Sequence, residues 1–245
     1  RCQAEDGIRD NIPSLVGSEM CIRDSINPSG TPFNTADTAS PGFVPGLNLA
    51  PPKIIETRFD RNQDGQTQRS LLRSVTVVFD QVVTTDSTAF ALVKRGIADP
   101  LEAAVGFGFS IADEDGRSEA TLTFSGNHVD SASGSLVDGN YMLTILGSQV
   151  VSTDGNVSLD GDHDGIAGGD QVTGDEMADA FFRLYGDSDG DRDVDGEDFG
   201  QFGLTFMRKT GQAGFNAVLD SDGDGDVDEQ DYSRFGRRLM RSLPF

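Results

Sequence analysis

Two acidic stretches in the last quarter of this chain are copies of one pattern: DSDGDRDVDGED from Asp187 to Asp198, and DSDGDGDVDEQD from Asp220 to Asp231. Each puts aspartate at its first, third, fifth, seventh, ninth and twelfth places. Like charges this dense repel one another, by roughly 3 kcal/mol for a pair about 5 Å apart at an effective dielectric near 20. A compact loop of this composition therefore needs a cation, while an extended solvated stretch has no reason to repeat its spacing in register. The duplication continues beyond the acids. Phe199, Phe202 and Phe206 recur as Tyr232, Phe235 and Leu239, an i, i+3, i+7 spacing that lays one apolar stripe along a helix. The repeated unit is a loop followed by a helix, and no helical run of useful length precedes either loop.

Side-chain oxygens at places one, three, five, nine and twelve, with a backbone carbonyl at seven, are the ligand set of the twelve-residue EF-hand loop, because Ca²⁺ is a hard ion that takes six to eight oxygens. On that pattern the ligands are Asp187, Asp189, Asp191, Asp195 and Asp198, then Asp220, Asp222, Asp224, Asp228 and Asp231. Asp193 and Asp226 supply the carbonyls. Tandem loop-helix repeats with aspartate at the twelfth place and a hydrophobic residue at the eighth, here Val194 and Val227, resemble the dockerin family. That resemblance implies two Ca²⁺ ions and a protein partner, cohesin-like or at a cell surface. Two positions depart from the family. Arg192 stands where the loop turns and glycine is usual. Gly196-Glu197 and Glu229-Gln230 stand where cohesin-binding dockerins often carry small hydroxyl residues, which implies a partner other than a standard cohesin.

The N-terminal stretch is expected to be no part of the fold. Gln3 to Asp10, QAEDGIRD, reads as a translated sequencing adaptor, and Leu15 to Asp24, LVGSEMCIRD, as a translated transposase adaptor. Residues 1–25 are therefore taken as an assembly artefact. Both cysteines, Cys2 and Cys21, fall within it, so no disulfide argument is built. Residues 26–51, rich in Pro, Gly, Ser and Thr without periodicity, read as a linker that implies a further domain upstream.

From Pro52 the sequence changes to short alternating runs broken by turn residues. Strands are expected at Lys53–Phe59, Leu71–Val83, Phe90–Lys94, Val105–Ile111, Ala120–Phe124, Tyr141–Val151 and Phe181–Tyr185, with turns at Asp113–Gly116 and Asp138-Gly139. Val75, Val77 and Phe79 share one face, as do Tyr141, Leu143 and Ile145. The runs SVTVVFDQVV and LVDGNYMLTI resemble immunoglobulin-like modules of bacterial surface proteins; the absence of a Cys-Trp-Cys core excludes an antibody-type domain. The expected fold is mainly β with a small α C-terminal module: an Ig-like β-sandwich over 52–186, then a dockerin-like pair of EF-hand loop-helix repeats over 187–245. The combination resembles the C-terminal modules of secreted proteins from planctomycete-type bacteria, which implies an extracellular or cell-surface location.

A third acidic loop, LDGDHDGIAGGDQ, offers Asp160, Asp162, Asp164, the carbonyl of Ile166 and Asp170 as a further metal site, its closing carboxylate displaced by one place. DRNQDG at Asp60–Gly65 has the same opening with fewer acids and reads as a turn. The net charge of −22, with 19 Lys and Arg against 41 Asp and Glu, excludes a phosphate-binding surface and hence nucleic acid. No apolar run is long enough to span a bilayer. His128 and His163 are the only near-neutral bases, and neither has a nucleophile or zinc-spacing context. With Trp absent and only 3 Tyr, carbohydrate stacking is also disfavoured. The expected function is a non-catalytic, calcium-binding interaction or anchoring module, monomeric. The alternative is the C-terminal tail of a polysaccharide-degrading enzyme whose catalytic domain lies upstream.

Overall fold

Alternation of buried and exposed side chains builds the strands of the larger, β-rich part. The computed structural model describes residues 50–60, 68–96 and 103–245, all within one compact unit, Leu47–Phe245. The artefact read at 1–25, nearly all of the linker and the DRNQDG turn beyond Asp60 lie outside the described residues. In chain order the strands are β1 (Ile54–Phe59), β2 (Ser74–Phe79), β3 (Val83–Thr84), β4 (Phe90–Arg95), β5 (Ala103–Ala104), β6 (Gly106–Glu114), β7 (Arg117–Ser125), β8 (Gly139–Ile145), β9 (Val151–Ser152), β10 (Gln171–Thr173) and β11 (Phe181–Arg183). Four more are short: β12 (Asp193–Val194), β13 (Arg208–Lys209), β14 (Asp226–Val227) and β15 (Arg241–Ser242). With two helices, α1 (Gly196–Thr205) and α2 (Glu229–Gly236), the described residues are mainly β.

Two antiparallel sheets carry the β-rich part. One runs β1-β2-β7-β6, the other β10-β8-β4-β5, with β11 also paired to β8. Strand β8 is long enough for two partners on one edge: β10 takes Leu143–Ile145 and β11 takes Gly139–Tyr141. Val75, Val77 and Phe79 of β2, Ala120, Leu122 and Phe124 of β7, Phe90 and Leu92 of β4, and Tyr141, Leu143 and Ile145 of β8 all enter one apolar core. Phe181 is its aromatic centre, 4.7 Å from the Phe59 ring and 5.6 Å from Tyr141 between centroids. The Tyr141 hydroxyl donates to the Val137 carbonyl, which spares it burial without a partner.

Several strands differ from the sequence expectation, each for a local reason. The run Leu71–Val83 breaks at Asp80-Gln81, and its end turns off as β3 to pair with β9. Tyr141–Val151 breaks where Gly147–Gln149 makes a 3₁₀ turn. The opposite face of β2 is not exposed: Thr76 is buried and meets Thr121 hydroxyl to hydroxyl at 3.0 Å, a cross-strand pair on a central strand. Asp115 (φ 51°) and Gly116 (φ 79°) turn the β6–β7 hairpin as two left-handed residues, the geometry a two-residue loop favours. Asp138-Gly139, by contrast, is no hairpin turn: Gly139 opens β8 and the Asp138 carboxylate points to the C-terminal region, as described below. Strand β10 was not expected, since three residues beside an acidic loop show no period.

Candidate metal-binding loops

Each acidic loop is locked to its helix by the same carboxylates that crowd it. Asp195 caps α1 by accepting from Glu197 N, while Asp198 reaches back to Asp195 N at 3.0 Å. Asp228 and Asp231 do the same for α2. This reciprocal cap satisfies helix donors that would otherwise lack partners. The twelfth carboxylate also closes its loop: Asp198 Oδ1 accepts from the amide and hydroxyl of Ser188, and Asp231 Oδ1 from those of Ser221. The first carboxylate holds the turn from within, as Gly190 N and Arg192 N donate to Asp187, and Gly223 N and Gly225 N to Asp220.

The folding brings Asp187, Asp189 and Asp198 together, Asp193 and Asp195 with Asp198, and Asp220, Asp222 and Asp231; within each group one carboxylate oxygen per residue lies within 4.8 Å of the others. Asp191, Asp224, Asp226 and Asp228 stand outside these closest groups. Asp191 and Asp224 each accept from the amide two residues on, and Asp226 pairs with Lys209 Nζ at 2.7 Å. In the third loop Asp160, Asp162 and Asp164 meet, and Ile166 is exposed with its amide on Asp164. Asp170 does not join them: its Oδ1 accepts from Gly147 N at 3.0 Å and serves the base of the loop instead.

Charge in the first two loops is only partly compensated: Arg69 and Arg192 act on Asp187, Arg234 on Asp222 and Lys209 on Asp226. Asp187, Asp198, Asp220 and Asp231 are all 5 % exposed or less. Burial, reinforced by Asp198 and Asp189, pushes Asp187 up to about 7 despite its two amide donors. Burial likewise raises Asp220, and burial with neighbouring carboxylates raises Asp189, Asp193 and Asp222. Asp222 Oδ1 and Asp193 Oδ1 are buried acceptors with no hydrogen-bond partner. Converging carboxylates with orphaned buried oxygens fit a hard cation, which would supply the missing partner.

The two repeats interlock. Strand β14 of the second loop pairs with β13, which follows α1, and β12 of the first loop pairs with β15, which follows α2. Met207 (φ 63°) and Met240 (φ 62°) turn the chain into these strands and donate to Val227 O and Val194 O, each at 2.7 Å. Phe202 and Phe235 meet at 4.7 Å between centroids, beside buried Val194 and Val227. The stripe is thus only partly buried: Phe199, Phe206 and Tyr232 stay exposed and, with Phe202 and Gly203, line a surface pocket of about 170 Å³.

The same apolar cluster takes Leu71, Leu184 and Tyr185 from the β-rich part. Ser70 Oγ donates to Val218 O and accepts from Gly186 N. Asp138 sits among Arg183, Arg238 and Tyr185 N. Burial alone would raise its carboxyl, but Arg183 and Arg238 outweigh that and hold it below the usual range. Arg192 keeps the left-handed φ of its loop position (79°) and spends its side chain across the junction. Its guanidinium lies 4.2 Å from the Phe182 ring centroid and donates to Asn140 Oδ1 and to the Leu243 and Pro244 carbonyls. None of Asp138, Arg183, Arg238 or the reciprocal strands was expected from the sequence. The recurring Phe-Met-Arg and Leu-Met-Arg at 206–208 and 239–241 was the signal for the strands.

No protein-family model matches the chain, and comparison with curated proteins and with solved structures found no match either.

Proposed function

We propose that this chain is a non-catalytic, Ca²⁺-ordered interaction module: a pair of dockerin-like loop-helix repeats carried on an immunoglobulin-like β domain of an extracellular or cell-surface protein. The observation that carries the reading is the matched pair of loops, in each of which three carboxylates converge within 4.8 Å, the helix-capping Asp198 or Asp231 among them. In the first loop Asp187, Asp189, Asp191, Asp195 and Asp198 would hold the ion with the Asp193 carbonyl; in the second, Asp220, Asp222, Asp224, Asp228 and Asp231 with that of Asp226. The ion supplies positive charge that lets both loops pack, and the chain's own residues position the helices through it. Supporting the immunoglobulin-like reading are the strand orders β1-β2-β7-β6 and β10-β8-β4-β5, which correspond to the A-B-E-D and G-F-C-C′ orders of that topology. The bond from Tyr141 near the start of β8 back to Val137 has the form of a tyrosine corner. The exposed rings of Phe199, Phe206 and Tyr232 support a protein-binding role, as clustered apolar surface does. Among the described residues no helix is long and apolar enough to cross a membrane.

Calorimetric titration of the full chain with CaCl₂ tests the metal reading. Asp198→Ala and Asp231→Ala are each expected to abolish one binding event, and unchanged heats in either would overturn it.

A further inference from the structure

The connection between β9 and β10 carries the third acidic loop, and its backbone repeats the other two. Counting Asp160 as the first place, the fourth and sixth residues are left-handed in all three loops. His163 (60°) and Gly165 (88°) match Gly190 (85°) and Arg192 (79°), and Gly223 (71°) and Gly225 (95°). The sixth amide donates to the first carboxylate each time, here Gly165 N to Asp160 Oδ2 at 3.0 Å.

One difference matters more than these likenesses. In the other loops both oxygens of the first carboxylate take a backbone amide. Asp160 Oδ1 is buried with no hydrogen-bond partner. The residue is 0 % exposed, and Lys53 Nζ at 3.2 Å serves only Oδ2. A buried carboxylate oxygen without a donor is costly even where its twin oxygen is paired, and a bound cation can supply the missing partner. Asp162 and Asp164, both exposed, each bring one carboxylate oxygen within 4.8 Å of an oxygen of Asp160 and of each other.

We propose that residues 160–166 bind a divalent cation of the calcium class through the carboxylates of Asp160, Asp162 and Asp164 and the carbonyl of Ile166, water completing the shell. This site stands apart from the two loops at 187–198 and 220–231. It lacks a closing carboxylate, because Asp170 is engaged by Gly147, and Lys53 competes for Asp160. Its affinity therefore falls in the weak range of extracellular modules, a Kd of about 10⁻⁴–10⁻³ M. The loop is fastened to the entry of β1, as Asp160 N donates to Pro52 O at 2.9 Å and His163 Nε2 lies 3.3 Å from Ile54 O. A bound ion would thus tie the first strand of one sheet to the β9–β10 crossing.

Amide resonances of the ¹⁵N-labelled full chain, titrated with CaCl₂ at neutral pH, test this directly. The Gly165 and Ile166 amides are expected to shift over the millimolar range and to stop shifting in Asp162→Asn/Asp164→Asn, while Gly190 and Gly225 respond as before. Gly165 and Ile166 standing still up to about 10 mM Ca²⁺, ten times the weak end of that range, or shifting equally in the double variant, would overturn the site. If the double variant loses the dispersion of the β2 and β8 amides, Asp162→Asn alone carries the test, with affinity expected to fall at least about threefold. Failure of the calcium reading for the other loops would show separately, in still Gly190 and Gly225 resonances.

Discussion

Between the two sheets, Phe79, Leu122, Tyr141, Leu143 and Phe181 meet with no carboxylate among them, and several polar groups buried nearby pair with one another or with the backbone: Thr76 with Thr121, Ser118 with Asp113, Tyr141 with Val137. Between the two repeats, Phe202, Phe235, Val194 and Val227 meet beside four carboxylates that are equally buried, Asp187, Asp198, Asp220 and Asp231. Burial of apolar area stabilises the first cluster whatever the solution contains, at about 25 cal/mol per Å². The second gains the same kind of area over fewer residues and loses part of it to crowded charge. It also borrows Leu71, Leu184 and Tyr185 from the first. On the proposed reading, two apolar cores in one chain would depend on solution conditions to different degrees, the purely apolar one propping up the one crowded by carboxylates.

Calcium removal should separate the two cores most strongly. At free Ca²⁺ about 100-fold above Kd, each filled loop adds about 2.7 kcal/mol to folding. Excess chelator on the full chain should therefore lower the melting of the helices well below that of the sheets, seen as helical circular dichroism lost ahead of the strand signal. A single transition, unmoved by chelator, would break the comparison. Next in size is the junction. Asp138→Asn leaves Arg183, 5 % exposed at its side chain, without its ion pair, and the loss of one partner from a buried pair costs about 3–5 kcal/mol. The pH dependence has a definite sign: the folded Asp138 carboxyl is held low, so its stabilisation is present above the ordinary carboxylate pKa and disappears as pH falls through the folded value. Thermal melts against pH should show this acid step in the parent chain and lose it in the variant.

Arg192 allows a finer cut. Arg192→Ala keeps the left-handed backbone and drops the contacts to Phe182, Asn140 and the 243–244 carbonyls; Arg192→Gly drops both. The glycine variant should be the more stable by roughly 1–2 kcal/mol, the cost of that conformation in a residue with a Cβ, and equal denaturant midpoints would show that the loop carries no such strain. Smallest is Gly200→Ala. A Cβ there meets nothing within 4 Å, so α1 should gain up to about 1 kcal/mol, with the sheets unaffected.

What could be read from the sequence was what depends on near neighbours. The loop-helix order, the alternation in β8 and the turn held by Arg192 are all settled within a dozen residues. The aromatic stripe was legible as a stripe but not as to depth. Two short helices facing each other can bury one ring apiece, Phe202 and Phe235, and leave Phe199 and Tyr232 outside. Asp138 looked like a turn residue because Asp-Gly usually is one; its partners lie at 183 and 238, and no local pattern announces them. Asp170 looked like a closing ligand by count alone, while the Gly147 amide that claims it belongs to another turn. The breaks at Asp80 and Gly147 were hidden because alternation of apolar residues persists across a bend that moves the chain to a new partner.

The exchange of strands between the repeats has a mechanical meaning. Tension drawn along the chain beyond Ser242 is carried by β15 against β12, and so arrives at the loop of the first repeat, not at the nearer one. Peeling β15 withdraws the backbone that flanks Asp193 and Asp195 and, through Leu243, one hold on Arg192. Load applied at one end of the pair would thus loosen the far loop first, while β13 still clasps the near one, and the order of yielding would not start from the loaded end.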